Sequence, residues 1–232
     1  MNKITITIFL MATVFSVRAQ ESVADKQDKP SIYWLFHNNY NMATRYNDFG
    51  EAKTALYSLI NIDPDNDSIR FNLAYLYFDA QQYPSSIMVT LDIINRNPKH
   101  AAAIELSAIA YDELGLKEKA LVSYEKLYLL TDNLETLYKL TYIQYELKRY
   151  MECDVNLDIL LSNAEIDTKT MVFQVNDNIQ KEFPLKSAIL NLRGLVRKDL
   201  GDIEGAREDF ESVLAVSPDF IFATNNLTEL DK

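Results

Sequence analysis

The sequence predicts an all-α protein built as a solenoid of tandem helix pairs, and three observations lead to this fold class. The 232 residues include only five glycines and six prolines, too few for the many tight turns of a β-sandwich or barrel. The hydrophobic content of 48% is sufficient for a packed core. Small residues also recur about every 34 positions, and a fixed period of this length is typical of helical repeat proteins.

Residues 1–19 have the pattern of a secretory signal peptide. Lys3 precedes an apolar run over residues 4–15, and the small residues Val17 and Ala19 precede a cleavage position. The run is shorter than the roughly 20 residues that span a bilayer, so a membrane anchor is the less favoured alternative. We therefore expect an exported protein that resides in the periplasm, with secretion from the cell as the alternative.

The charge of the mature chain argues against nucleic-acid partners. The whole chain has 23 basic and 34 acidic residues, a net charge of −11. Cleavage after Ala19 removes Lys3 and Arg18 but no acidic residue, which changes the net charge to −13. Such a chain repels phosphate backbones and anionic membrane surfaces. Residues 20–30 are polar and charged, which predicts a flexible lead-in.

Two sets of small residues define the repeat. Each set marks where helices cross, because helix axes approach to about 8–10 Å only when the contact residues are small. Successive members lie 34, 34, 33 and 53 positions apart in the second helices, and 34, 33 and 53 apart in the first helices. The last step is longer than one repeat, which indicates an insertion. The sets are Ala52, Ser86, Ala120, Cys153 and Ala206 in the second helices, and Ala74, Ala108, Thr141 and Gly194 in the first.

These repeats resemble the tetratricopeptide repeat (TPR) family. The match is fullest in residues 190–220, which have small residues at the crossings and Pro218 at the close, and residues 103–127 also match well. The resemblance implies a right-handed solenoid of about five repeats. Repeats one to four would occupy residues 31–163, and the fifth repeat with a C-terminal capping helix would occupy residues 187–232.

The insertion between the fourth and fifth repeats, residues 164–186, predicts a β-hairpin. Residues 170–175 favour a strand, residues 176–178 favour a turn, and residues 179–183 alternate apolar and polar side chains. A disordered loop is the alternative. Because insertions in repeat arrays often carry function, we expect deletion of residues 170–184 to abolish partner capture while sparing the helices.

The sequence contains no recognisable catalytic constellation. It lacks a nucleophile elbow, a P-loop and a zinc-binding H-E-x-x-H helix. His37 and His100 have no nucleophile nearby and are typical of polar surface or helix-end residues. Cys153 occupies a small packing position, which predicts a buried and inert thiol. We therefore expect no enzymatic activity, no catalytic residues, no metal and no cofactor.

Aromatic residues recur on one face of the first helices of repeats two and four. The three positions have the helical spacing i, i+4 and i+7, and the second set follows the first at a distance of two repeats. In TPR proteins these positions face the concave groove, where repeat three would place acidic residues; core packing is the alternative. The predicted partner-binding groove consists of Phe71, Tyr75, Phe78, Glu105, Asp112, Glu113, Tyr138, Tyr142 and Tyr145.

The function that the sequence favours is protein–protein interaction, as an adaptor that binds an extended partner segment. An aromatic and acidic groove suits a protein or peptide with basic or aromatic side chains, because tyrosine rings bury large areas and attract cations. Two alternatives are a periplasmic chaperone or holdase and a non-catalytic accessory subunit of an envelope enzyme complex. We expect no nucleic-acid partner, and no membrane anchor in the mature chain.

Overall fold

The computed structural model describes residues 30–176 and 179–231. The predicted signal peptide and all of the predicted lead-in except Pro30 lie outside the described residues. The chain divides into two compact units, whose described parts are residues 30–131 (the N-terminal unit) and residues 132–176 and 179–231 (the C-terminal unit). No helix in the described ranges has both the length and the apolar character that a membrane span requires.

The N-terminal unit consists of six α-helices that pack as three consecutive pairs. The helices of a pair are joined by short turns, so they are antiparallel. The second helix of one pair also packs on the first helix of the next. The helices are α1 (Ser31–Arg45), α2 (Phe49–Ile62), α3 (Asp67–Asp79), α4 (Tyr83–Arg96), α5 (Ala101–Glu113) and α6 (Lys117–Thr131).

The C-terminal unit contains two further helix pairs, a β-hairpin between them and a final single helix. The elements are α7 (Leu134–Glu146), α8 (Tyr150–Ser162), a 3₁₀ helix (Ala164–Asp167), β1 (Thr170–Asn176), β2 (Ile179–Pro184), α9 (Leu185–Asp199), α10 (Ile203–Val216) and α11 (Ile221–Leu230). The described residues thus contain five helix pairs and a terminal helix, which confirms the predicted all-α fold with one inserted hairpin.

Burial of the small crossing residues explains the period. All nine of them are buried, and the eight with side chains are at most 1% exposed. Gly194 shows the constraint most clearly, since a Cβ atom there would lie 2.5 Å from Cε1 of Phe210. Cys153 is buried as well, and this burial raises the pKa of its thiol to about 12.

The turn inside each helix pair repeats with the same register. One residue in every turn has a positive φ, between +56° and +86°. Asn47, Gln81, Gly115, Lys148 and Gly201 occupy this position. The conformation costs an L-residue with a side chain roughly 1–2 kcal/mol, yet only two of the five residues are glycines.

Polar side chains begin several of the helices. The side-chain oxygens of Asn66 and Asn133 accept hydrogen bonds from backbone N–H groups in the first turns of α3 and α7. His100 has the same role at α5, where its Nδ1 accepts from the N–H of Ala103 at 3.1 Å. Such contacts satisfy N–H groups that have no partner within the helix, and they make His100 the helix-end residue that the sequence suggested.

The hairpin packs one face against the last turn and helix of the chain. Its strands are antiparallel, and Phe173 and Phe183 on the buried face contact Phe220 and Phe222. The ring centroids of Phe183 and Phe220 are 4.8 Å apart. A two-stranded hairpin alone is marginal in water, so these four phenyl rings supply the core that it needs.

Candidate functional site

A cluster of aromatic and charged side chains lies where α3, α4 and α5 meet in the N-terminal unit. The ring of Phe78 packs edge-on against that of Tyr83, with centroids 5.3 Å apart. The Tyr83 hydroxyl and the carboxylate of Glu113 are close enough to interact electrostatically. Beside it, Asp112 forms an ion pair with Lys117. We refer to these five residues as the N-terminal tyrosine cluster.

The electrostatics of this cluster are dominated by its carboxylates. Partial burial, followed by the nearby charge of Asp112, raises the pKa of Glu113, while Lys117 and the Tyr83 hydroxyl act in the opposite direction. Burial and the Glu113 charge also raise the pKa of Tyr83, so its hydroxyl stays a proton donor. Two adjacent carboxylates that share one lysine leave an excess of negative charge beside two aromatic rings.

A second cluster lies in the C-terminal unit, between α7, α8 and α9. The Tyr150 hydroxyl donates to Oδ2 of Asp199 at 3.0 Å, and the same carboxylate also interacts electrostatically with Tyr145. The ring centroids of Tyr145 lie 6.1 Å from Tyr150 and 6.3 Å from Tyr142. Burial and the charge of Asp199 raise the pKa of Tyr145. We refer to these four residues as the C-terminal tyrosine cluster.

The two clusters occupy equivalent positions in the repeat. Phe78 corresponds to Tyr145 and Tyr83 corresponds to Tyr150, with the same separation of two repeats in each case. Glu113 and Asp199 also correspond, because each is the last residue of the first helix in its repeat. In both units a tyrosine that begins a second helix therefore lies beside a carboxylate from the end of the next first helix.

Four cluster members were missed by the sequence analysis: Tyr83, Lys117, Tyr150 and Asp199. The signal that could have found the two tyrosines is the two-repeat spacing that identified the other aromatic residues, which continues into the second helices. Lys117 follows Asp112 closely in the chain and could have been found as a local ion-pair partner. Asp199 gives no such signal, since the insertion displaces it from the two-repeat spacing.

The predicted groove residues of the N-terminal unit have varied environments. Phe78, Asp112 and Glu113 come together in the cluster, whereas Phe71 packs against His100 with ring centroids 5.7 Å apart. Other predicted residues of this unit lie outside the cluster: Tyr75 is exposed and Glu105 is half-buried.

In the C-terminal unit, Tyr142 and Tyr145 are half-buried members of the cluster. Tyr138 differs from the expectation of an open groove, because only 3% of its surface is exposed. A side chain so enclosed offers no surface to a partner. Core packing, the alternative for the aromatic positions, fits Tyr138 better.

The arrangement in both clusters places aromatic rings beside carboxylates. Tyrosine rings present negative faces, and carboxylates accept charge-assisted hydrogen bonds from lysine and arginine. In the described parts of the chain, no three histidine, cysteine, aspartate or glutamate side chains are grouped as a metal ion would require.

Comparison with known proteins identifies the repeat and the fold. Residues 187–220 match the sequence profile of the tetratricopeptide repeat, whereas no curated protein sequence matches the chain. A TPR protein from Parabacteroides merdae superposes with a TM-score of 0.67 at 18% identity, over 85% of this chain and 72% of that one.

Two further solved structures are similar. YrrB, described as a TPR protein with an unusual peptide-binding site, has a TM-score of 0.65 at 10% identity, over 83% of this chain and 90% of that one. A MamA protein has a TM-score of 0.64 at 14% identity, over 80% of this chain and 92% of that one. Residues 187–220 therefore match a tetratricopeptide repeat, and the chain has the fold of tetratricopeptide repeat proteins.

Proposed function

We propose that this protein is a non-catalytic interaction module that binds extended, basic segments of a partner protein through its two tyrosine clusters. The observation that carries the proposal is the recurrence of one arrangement in both units. A tyrosine hydroxyl beside a carboxylate of the next repeat occurs at equivalent positions, Tyr83 with Glu113 and Tyr150 with Asp199, and the second pair is hydrogen-bonded. Both arrangements place aromatic surface beside negative charge.

Lysine and arginine side chains are the groups that these clusters suit best. A cation over a tyrosine ring gains about 0.5–1 kcal/mol at an exposed site and more when water is excluded. At the N-terminal tyrosine cluster, a bound cation would also relieve the repulsion between Asp112 and Glu113. The peptide-binding site described for YrrB, a protein of the same fold, supports a peptide as the ligand class.

Export to the periplasm and an adaptor role in a cell-envelope assembly complete the proposal. The signal-peptide pattern of residues 1–19 supports the export. A holdase would need a broad apolar groove, whereas both clusters are lined by hydroxyl and carboxylate groups. The polar lining therefore favours a selective adaptor over a promiscuous chaperone.

Peptide binding by the mature chain tests the proposal. An array of extended peptides should select Lys/Arg-containing sequences, and titration calorimetry should then show tighter binding at low salt. The double variant Glu113→Gln/Asp199→Asn keeps the side-chain size but removes both charges. We expect it to bind these peptides at least tenfold more weakly, since a hydrogen bond to a charged group contributes about 1.5–3 kcal/mol.

The matched control is Asp92→Asn, which removes one exposed carboxylate of α4 outside the cluster. Loss of affinity from unfolding is not expected for Glu113→Gln. The pKa of Glu113 is raised in the folded protein, so its charge at neutral pH opposes folding rather than supporting it. Equal binding of acidic peptides, or the same affinity in the double variant as in Asp92→Asn, would contradict the proposal.

A further inference from the structure

An apolar stripe runs along the outer face of α1. Ile32, Leu35, Met42 and Tyr46 lie on one side of this helix and its end, at the spacing i, i+3, i+10 and i+14. Their side chains are 50%, 56%, 57% and 71% exposed. A helix at the end of a repeat array ordinarily presents a polar outer face to water, whereas α1, the first helix of the described residues, exposes these four large apolar side chains beside its polar ones.

The last helix of the chain has the opposite character. The exposed residues of α11 other than its first, Ile221, are Thr224, Asn225, Thr228 and Glu229. These polar side chains are suited to a helix that ends a repeat array in water. The contrast indicates that the stripe on α1 is a specific feature of this end of the repeats.

A depression of about 260 Å³ lies beside the same stripe. It is open to solvent and large enough to receive an apolar side chain. Met42 and Tyr46 line both the stripe and the depression, so the two features form one surface. The lining residues are Asn39, Met42, Ala43, Tyr46, Asp48 and Glu51.

From these features we infer that the α1 stripe is a contact surface between two copies of this chain. The first argument that a second copy of this chain covers the stripe is the distribution of charge. The whole chain carries −11, yet the 15 residues of α1 include no acidic side chain and one basic one, Arg45. Two copies can therefore meet along α1 with little of the repulsion that their other surfaces would cause.

The rim of the surface adds complementary charge. Arg45 ends α1, and Asp48 and Glu51 line the adjoining depression. In a two-fold symmetric contact the same patch meets itself, so each copy brings one basic and two acidic groups to the contact. Each Arg45 can therefore face an acidic group of the other copy.

The residues that precede α1 are not suited to cover the stripe, and its size is compatible with a contact between two copies. Residues 20–29 contain only Val23 and Ala24 as apolar side chains, so they cannot cover four large ones. Its four large apolar side chains, each at least half exposed, supply part of the roughly 800 Å² that each partner buries in a standard interface. This inference does not depend on the proposed function, because neither tyrosine cluster includes a residue of α1.

Sedimentation equilibrium of the mature chain tests the inference. Between about 1 and 200 μM we expect a concentration-dependent monomer–dimer equilibrium, within the range of affinities of modest interfaces. Leu35→Glu and Met42→Glu should each weaken dimerisation at least tenfold, because two like charges would be desolvated at the contact. Circular dichroism should be unchanged, since both side chains are exposed.

Met88→Glu is the matched control, because Met88 is 70% exposed on α4, away from the stripe. It should dimerise like the parent chain. A mixture of Met42→Glu and Met42→Lys should recover dimers, with both masses present in one species by native mass spectrometry. A parent chain that is monomeric throughout, equal dissociation of Met88→Glu, or a mixture that stays monomeric would each overturn the inference.

Discussion

The N-terminal and C-terminal units use the same helix pair but are stabilised in different ways. The N-terminal unit has three regular repeats, and its small crossing residues recur at steps of 34 without interruption. The C-terminal unit has a hairpin between its repeats, together with a four-phenylalanine contact and a buried ion cluster that the other unit lacks in its described part. Regular repeats spread stability over neighbouring contacts, whereas an interrupted array needs local anchors.

The largest expected effect comes from removing the anchor of the hairpin. Phe183 is almost completely buried and contacts both Phe173 and Phe220. We expect Phe183→Ala to lower the free energy of unfolding by about 3–5 kcal/mol, because it leaves a cavity among aromatic rings. Urea denaturation followed by circular dichroism measures this change.

Ile179→Ala is the control for this prediction, since Ile179 is exposed at the other end of the same strand. Its effect should stay within about 0.5 kcal/mol. If Phe183→Ala changed the free energy of unfolding as little, the hairpin would not stabilise the helices. This result would agree with the sequence-based expectation that deletion of the hairpin spares them. The packing instead leads us to expect that deletion destabilises the C-terminal unit, which would prevent such a deletion from isolating partner capture.

The second largest effect is expected at Asp209, a carboxylate on α10 that is 2% exposed. Arg193 holds it with three contacts of 2.6–3.1 Å, and Arg197 adds one at 3.0 Å. We expect Asp209→Ala to lower the free energy of unfolding by about 2–3 kcal/mol. Breaking a fully buried ion pair costs about 3–5 kcal/mol, but here both arginines are partly exposed and can be hydrated again.

Asp65→Ala provides the comparison in the N-terminal unit. Asp65 pairs with Arg96 at 2.9 Å, but its carboxylate is exposed. Exposed ion pairs contribute about 0–1 kcal/mol, so this variant should be close to neutral. An equal loss in the free energy of unfolding for Asp209→Ala and Asp65→Ala would show that the two units do not differ in how much their ion pairs stabilise them.

Gly194→Ala is expected to cost about 1–3 kcal/mol. Alanine normally favours a helix over glycine by about 1 kcal/mol, but here its methyl group would overlap the ring of Phe210, which is fully buried. Overpacking a rigid core outweighs the gain in propensity. Gly50→Ala is the control, because its Cβ would make only an ordinary 3.5 Å contact in the first turn of α2. Thermal denaturation of both variants should give a lower Tm for the first alone.

The parts of the fold that could be predicted from sequence are those set by short-range sterics. A small residue at each helix crossing recurs from Ala52 to Ala206, so nine positions give one register. The hairpin was predictable because the β propensity of residues 170–175 and the turn residues after them are local signals. Both predictions needed only neighbouring residues.

The candidate site was less predictable, because its contacts join distant parts of the chain. Tyr150 and Asp199 are 49 residues apart with the whole insertion between them. The burial of Tyr138, on the same face as Tyr142 and Tyr145, could not be inferred from helical spacing either, since spacing gives a face but not what covers it. The resemblance to TPR proteins gave the groove positions but not which tyrosines bond to which carboxylates.

The smallest expected effect tests whether the turn within each helix pair is equivalent in the two units. In the N-terminal unit, this turn position is Gln81 (φ +56°) in one pair and Gly115 (φ +70°) in the next. In the C-terminal unit, it is Lys148 (φ +57°) in one pair and Gly201 (φ +86°) in the next. We expect Lys148→Gly and Gln81→Gly each to raise the free energy of unfolding by about 0.5–1 kcal/mol, because glycine adopts this conformation without the steric cost.

The reciprocal variant Gly115→Ala should be destabilising by a similar amount. A Cβ atom there would have nothing within 4 Å, so only the backbone conformation opposes it. Urea denaturation of the three variants gives the comparison directly. Similar gains in the free energy of unfolding for Lys148→Gly and Gln81→Gly would show that the cost of the positive φ is a property of the repeat in both units. A gain confined to one unit would instead mean that the turns differ, and that the contrast between the units extends beyond the hairpin and the ion cluster.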